Sequence, residues 1–308
     1  MASFHIPRTR SNFTWNRAHP PAVMVESGAS LTVEVANASG GQLGETSTAR
    51  DVARLDFGRV NPVTGPIFVH EAEPGDTLVV EILAIDLDSW GWTANIPGFG
   101  LLTDVFPEPH LRISRVSARH AELLPGLRIP VAPFIGTIGL APGAPGDHPI
   151  VPPGPQGGNM DIRHLTPGAR LHLPVAVPGA LLSLGDTHAA QGDGEVCGTA
   201  IETSSLVTLR VQLRKAESRR TPLVETSPAS QRSGPAIATT GIGPDLFVAA
   251  REATLAMVEE IARRSGLAAA DAYLLASVAA DLKISEIVDA PNWVVSMHLD
   301  LDVLAGGR

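Results

Sequence analysis

The chain is predicted to be mainly β, built from antiparallel strands that bury one face, with a helical hairpin close to its C-terminal end. Three observations predict this. Glycine and proline fill 30 and 26 of the 308 positions, a punctuation that favours short strands and turns over long helices. Apolar and polar side chains alternate in several stretches, as on a strand with one wet face. Between 246 and 282 the apolar spacing changes to three and four residues, as on a helix.

The elements follow in chain order. Leu31-Thr32-Val33-Glu34-Val35 alternates along its whole length. Residues 77–85 are apolar on both faces apart from Glu81, which predicts a central strand covered on two sides. The glycine- and proline-crowded stretch 130–158 reads either as a linker or as a rigid loop. The loop is preferred, because Asn159-Met160-Asp161 follows at once. From 206 to 214, Val207, Leu209, Val211 and Leu213 oppose Thr208, Arg210, Gln212 and Arg214. Residues 217–244 are polar and rich in serine and threonine, and read as a surface connection. They mark the one internal division expected within an otherwise single unit spanning 1–308.

A helix over 246–264 is capped by Asp245, carries Arg263 and Arg264 at the negative end of its dipole, and stops at Gly266. Its expected inner face includes Val248, Leu255, Val258, Ile261 and Ala262. A second helix over 270–282 should turn Tyr273, Leu274, Val278 and Leu282 inward. The last strand should bury Trp293, Val295, Met297, Leu299, Leu301 and Val303 and wet Ser296, His298, Asp300 and Asp302.

The composition excludes several classes of partner. The net charge is −9, and no lysine or arginine cluster resembles a phosphate-binding stripe, so neither nucleic acid nor an anionic membrane is an expected partner. No stretch approaches the ~18 apolar residues of a membrane span, and the first residues lack the apolar core of a signal peptide. Cys197 is the single cysteine. An intrachain disulfide is therefore excluded, and a cytoplasmic location is expected.

The densest polar run is Gly185-Asp186-Thr187-His188-Ala189-Ala190-Gln191-Gly192-Asp193-Gly194-Glu195, with Glu202 shortly after. Asp186 and His188 project from one face of an extended segment, and Gly192 and Gly194 permit a turn that returns Glu195 or Glu202 towards it. Carboxylates and an imidazole meeting at one point suit a divalent cation. A plain hairpin turn at 191–194 is the simpler reading, and the residues alone leave both open. Asn159 and Asp161 form a second candidate pair, Asp161 for a metal and Asn159 for a substrate amide or carbonyl. Chain chemistry alone favours turn capping for them. His164 and His172 read as solvent-facing, and Cys197 as a small packing residue. There is no Gly-x-Ser-x-Gly elbow, phosphate loop or dinucleotide fingerprint.

The same segments resemble the acetamidase/formamidase family, in order and through nearly the whole chain. The matching runs are Ser39-Gly40-Gly41-Gln42, Asn61-Pro62-Val63-Thr64-Gly65-Pro66-Ile67, Ala72-Glu73-Pro74-Gly75-Asp76 and Gly98-Phe99-Gly100. They continue through Pro152-Pro153-Gly154, Gly157-Gly158-Asn159-Met160-Asp161 and the 185–195 run. One departure is His70-Glu71, where relatives often carry an acidic or amide residue followed by glycine.

The resemblance implies a β-sandwich- or jelly-roll-like architecture with a smaller α/β portion, assembled as a homodimer. It implies hydrolysis of a small amide to ammonia and a carboxylic acid with a divalent metal, zinc before calcium or another ion. Carried onto this chain, Asp161, His188 and Glu202 are the expected metal ligands, with Asp186 as substitute. Glu195 is the expected proton carrier, with Asp193 a second acidic candidate, and Asn159 or Gln191 would orient the substrate. The alternatives are hydrolysis of another C–N bond, in a larger amide, cyclic imide or ureido compound, and a non-catalytic metal- or ligand-binding β protein.

Overall fold

The computed structural model describes residues 3–227 and 235–305, and strands dominate it. One sheet runs in the order Ser3–Ile6, Ser30–Val35, Ser205–Arg214, Thr77–Leu87, Arg170–Pro174, Leu223–Glu225, Ala236–Gly243, Trp293–Asp300, Ala280–Glu286. Its pairs are antiparallel except the first. A second sheet runs Leu127–Pro130, His120–Leu124, His110–Val116, Trp90–Asn95, Glu202–Thr203, Leu182–His188, Phe134–Gly139, Gly157–Asn159. Leu31, Val33, Leu78, Val80, Val207, Leu209 and Val211 of the first sheet share one buried cluster with Ile67, Ile135, Ile138, Leu182 and Leu184 of the second. The sheets therefore close on a common core.

The alternation expected at 31–35 and 206–214 is present: Leu31, Val33, Val35, Val207, Leu209 and Val211 are buried, and the residues between them are not. Residues 77–85 lie in the middle of the sheet, but both faces are covered only over 77–80; Leu83, further along, is exposed. The 130–158 stretch is more ordered than a loop. It contributes Phe134–Gly139, buried throughout, and leads into Gly157–Asn159 beside it.

The region after 217 differs from the expectation of a surface connection. Leu223–Glu225 and Ala236–Gly243 are interior strands of the nine-stranded sheet. Their serines and threonines are accommodated because Thr226, Thr239 and Thr240 hydrogen-bond to backbone carbonyls, which removes the cost of burying a hydroxyl. Residues 228–234 of that stretch lie outside the described residues.

Helix Leu246–Ser265 starts and stops as expected. Asp245 accepts from the Val248 N–H at 2.9 Å, and Gly266 closes the helix in the left-handed conformation. Its buried face is Ala249, Ala253, Met257, Val258, Glu260 and Ile261, whereas Val248 and Leu255 are exposed. Small residues face the sheet because the helix approaches closely. A Cβ on Gly241 would stand 1.9 Å from the Ala249 carbonyl oxygen. Gly241→Ala is therefore expected to destabilise the protein by about 1–3 kcal/mol, measured by urea unfolding.

The second helix ends earlier than expected, at Ala269–Ala279, and the chain turns directly into strand Ala280–Glu286. Ala272 and Ala276 face inward with Leu275 partly buried beside them, against the first helix, while Tyr273, Leu274, Val278 and Leu282 are exposed. The final strand stops at Asp300, and Leu301–Ala305 is helical. Its supposed wet face is dry: Ser296 and His298 are buried beneath the neighbouring layers, with Ser296 Oγ bonded to Ser285 Oγ and His298 Nε2.

Candidate functional site

Leu182–His188 positions the centre of the site. One edge pairs with Phe134–Gly139. The opposite edge is shared, its first half by Val63–Val69 and its last two residues by Glu202–Thr203. Where the partner changes, Asp186 adopts φ 56°, and its carboxylate meets the imidazole of His188, two residues on along the strand. Register then sets Glu202 directly opposite His188. Asp161 arrives from the residues after Gly157–Asn159, and its approach depends on Gly136: a Cβ there would lie 2.4 Å from Asp161 Oδ1 and 2.9 Å from Asp186 Oδ2.

The distances are short. His188 Nε2 is 3.1 Å from Asp186 Oδ1 and 3.0 Å from Glu202 Oε2, and His188 Nδ1 is 2.9 Å from Gln191 Oε1 and 3.8 Å from Asp161 Oδ1. His188 Nε2 is hydrogen-bonded to Asp186 Oδ1, and Glu202 Oε2, though close by, is buried without a hydrogen bond, as are both Asp161 carboxylate oxygens. Glu202 Oε1 accepts from the Ala200 N–H at 2.8 Å, and Gln191 Nε2 donates to the Asp161 carbonyl at 2.9 Å. Phe134 packs edge-on against the imidazole, with ring centroids 4.9 Å apart.

The structure thus brings Asp161, Asp186, His188, Glu195, Glu202, Asn159 and Gln191 together. Glu195 also has a ligand atom within 4.8 Å of those of His188 and Glu202, and of those of Asp161 and Asp289. Asp193 stands apart: it is exposed and lies 3.9 Å from the Arg163 guanidinium, because the 192–194 turn points it outward. His164, read as solvent-facing, is buried with its ring 4.7 Å from that of His298, and burial depresses its pKa to about 4. His172 is likewise mostly covered.

Four side chains escaped the sequence reading. Asn61 Nδ2 donates to Asn159 Oδ1 at 2.8 Å and reaches Asp186 Oδ2 at 3.3 Å. The Thr137 hydroxyl bonds Asn159 Oδ1 and lies 3.2 Å from Asp186 Oδ2. Asp289 accepts from Asn159 Nδ2. Glu286 accepts from the backbone N–H groups of Val288 and Asp289 and so shapes the bend that presents Asp289. Two acids on either side of a short apolar pair, Ile287-Val288, just before Pro291, were the available signal.

Asn61, Asp161, Asp186 and Glu195 all have positive φ, between 45° and 56°. Such conformations cost energy in non-glycine residues and collect where function requires them. Burial, then the Asp186 charge, raises the Asp161 pKa well above the carboxylate range. Burial and then Asp161 do the same to Glu195, and burial and then Glu286 to Asp289. Glu202 is raised to about 7, burial outweighing the nearby His188 charge. Burial would also raise Asp186, but the His188 charge and hydrogen bond prevail and lower it. His188 moves well above its usual value, because Glu202 and Asp186 outweigh burial.

These carboxylates stand around one imidazole, with orphaned oxygens on Asp161 and Glu202. A buried cluster of that sign needs a compensating positive charge, so the donor set fits a divalent cation. Carboxylate oxygens with one imidazole nitrogen suit hard to borderline ions.

A profile of the acetamidase/formamidase family matches residues 5–145 and 144–305. The chain belongs to that family. Formamidase from Methylophilus methylotrophus is 29% identical over 94% of this chain and 89% of its own length. The crystal structure of an acetamidase from Bacillus halodurans superposes with a TM-score of 0.90 at 32% identity, covering 98% of this chain and 99% of that one. A recombinant predicted acetamidase/formamidase from the thermophile Thermoanaerobacter tengcongensis gives the same score and identity over 99% of both chains.

Proposed function

We propose that this member of a family of linear-amide C–N hydrolases cleaves a primary amide of the formamide/acetamide type, using a divalent cation, zinc first, held by Asp161, His188 and Glu202 with Asp186 beside them. The carrying observation is the set of buried carboxylate oxygens without hydrogen-bond partners on Asp161 and Glu202, facing His188. Glu202 and Asp186, with Glu195, Asn159 and Asp289, line a small cavity of about 50 Å³.

A bound cation would polarise the amide carbonyl and lower the pKa of water. The chain's own residues supply the rest. RCONH2 and water give RCOOH and NH3, so one proton must leave water and reach nitrogen. Glu195 lines the cavity, and burial raises its pKa, which suits a group that takes a proton from water and returns it to nitrogen. Asn159, held by Asn61, Thr137 and Asp289, presents its amide group to the same space and can orient the substrate, as can Gln191 from the other flank of His188. Asp193 faces Arg163 and is left with a solvent role.

Ammonia release from formamide and acetamide, with and without chelator, tests this reading. Release that stops on chelation and returns with zinc is expected; release indifferent to chelation counts against the cation.

The proposed homodimer is supported by the edge strand Ala280–Glu286, bridged on its outer side only near its end by Gly194, and the apolar Leu274, Val278, Leu282 and Ile284 exposed around it. Val278→Glu is expected to shift the protein from dimer to monomer in size-exclusion chromatography; an unchanged elution rejects this surface. Among the described residues no helix is long and apolar enough to cross a membrane. A reducing compartment such as the cytoplasm suits the lone Cys197.

A further inference from the structure

The polar cavity does not stand alone. Phe57, Phe99 and Val151 line it and also line an adjoining chamber of about 590 Å³, against about 50 Å³ for the cavity itself. Phe57 and Phe99 meet edge to face, with centroids 5.8 Å apart, at the boundary between the two. The other walls of the outer chamber include Leu101, Leu246, Val288 and Trp293, with Thr103 the only hydroxyl among them and no ionisable side chain. The Leu101 N–H donates to the Val196 carbonyl at 3.0 Å, so this chamber is tied to the segment that carries Glu195.

The inner cavity is divided the same way. Asn61, Asn159, Asp186, Glu195, Glu202 and Asp289 form one wall, and Leu55, Val60, Trp92 and Ile96 belong to the other. An amide that turns its carbonyl and nitrogen to the carboxylates must direct its acyl carbons to the apolar wall, on the side of Phe57 and Phe99. Acetamide ends there. A longer chain extends towards the adjoining apolar space, and burying each methylene in such space is favourable.

We propose that the preferred substrate is a primary amide with an apolar acyl chain longer than that of acetamide, its carboxamide in the inner cavity and its chain passing beside the Phe57–Phe99 pair into the outer chamber. This rests on the amide-hydrolase reading above and specifies the substrate class. Phe57 and Phe99 are then specificity determinants. The carboxylate cluster does the same work on every chain length.

The test measures kcat/KM for acetamide, butyramide and hexanamide on the metal-loaded enzyme. Each methylene that reaches the outer chamber is expected to raise kcat/KM about fourfold, equivalent to ~0.8 kcal/mol. Leu101→Glu, on an exposed turn, places a charge in the chamber, and Thr103→Trp fills it. Either is expected to flatten the rise while acetamide stays within about threefold of wild type.

A flat or falling profile with acetamide still turned over overturns the proposal and leaves the amidase reading standing. A flat profile joined to a change of oligomeric state in Leu101→Glu assigns the chamber to a second copy instead. If no amide is cleaved, the amidase reading fails, and acetate, butyrate and hexanoate serve as probes in isothermal titration. Affinity rising with chain length, and lost in Leu101→Glu, then supports the chamber as an acyl pocket; equal affinities overturn it.

Discussion

His188→Ala is expected to empty the cation site and to lower ammonia release roughly a thousandfold. The imidazole touches Asp186, Glu202 and Gln191 and lies 3.8 Å from Asp161, so it holds the centre of the acidic cluster. Its removal deletes the one nitrogen donor and leaves buried carboxylates without their positive partner, a change that can cost about 3–5 kcal/mol of stability. Loss of fold and loss of metal must therefore be separated. His188→Gln keeps a polar group of similar reach. It should retain the far-ultraviolet dichroism of the parent while its metal content, read by atomic emission, falls. Full metal occupancy in a folded His188→Gln protein would remove His188 from the ligand set.

Glu195→Gln should give the opposite pattern, with metal retained and turnover down by about 10²–10⁴. The residue lines the cavity, is held at φ 45° in the tight turn before Gly198, and carries a pKa raised by burial and by Asp161. A glutamine fills the same volume and cannot move a proton. The decisive comparison is kcat against KM: a proton carrier affects kcat, whereas a group that only seats the amide affects KM. Metal loss in Glu195→Gln would instead make Glu195 a ligand. Unchanged turnover would pass the proton-transfer role to another carboxylate in the cavity, with Asp289 the nearest unused candidate.

The acidic cluster was partly legible in the chain. The pairing of Asp186 with His188 follows from a two-residue strand period, and Glu202 lies opposite His188 by register. Asp161 was legible only as a residue after two glycines, since nothing local says that Gly136 leaves it room to meet Asp186. Asn61, Thr137 and Asp289 were missed because each is an ordinary polar residue in its own segment. They acquire a common purpose only where Asn159 joins them, across sequence separations that no periodicity spans.

The helices show the same limit. Periodicity placed the first helix and both of its caps, because capping is local chemistry within four residues. It chose the wrong inner face for the second. Tyr273, Leu274 and Val278 are bulky yet exposed, while Ala272 and Ala276, with Leu275 beside them, face the first helix and the core they share.

The sequence by itself determined the strand-rich class, the absence of an intrachain disulfide, and an ordered set of motifs shared with one family of amide hydrolases. These rest on composition, period-two patterning and local turn chemistry, which need no knowledge of distant residues. Only the tertiary structure decided which acids share one buried volume, that Asp193 stays outside it, and that an apolar chamber adjoins it. Burial and charge proximity are properties of where distant segments meet, and that meeting sets both the carboxylates' proton affinities and the space left for a substrate.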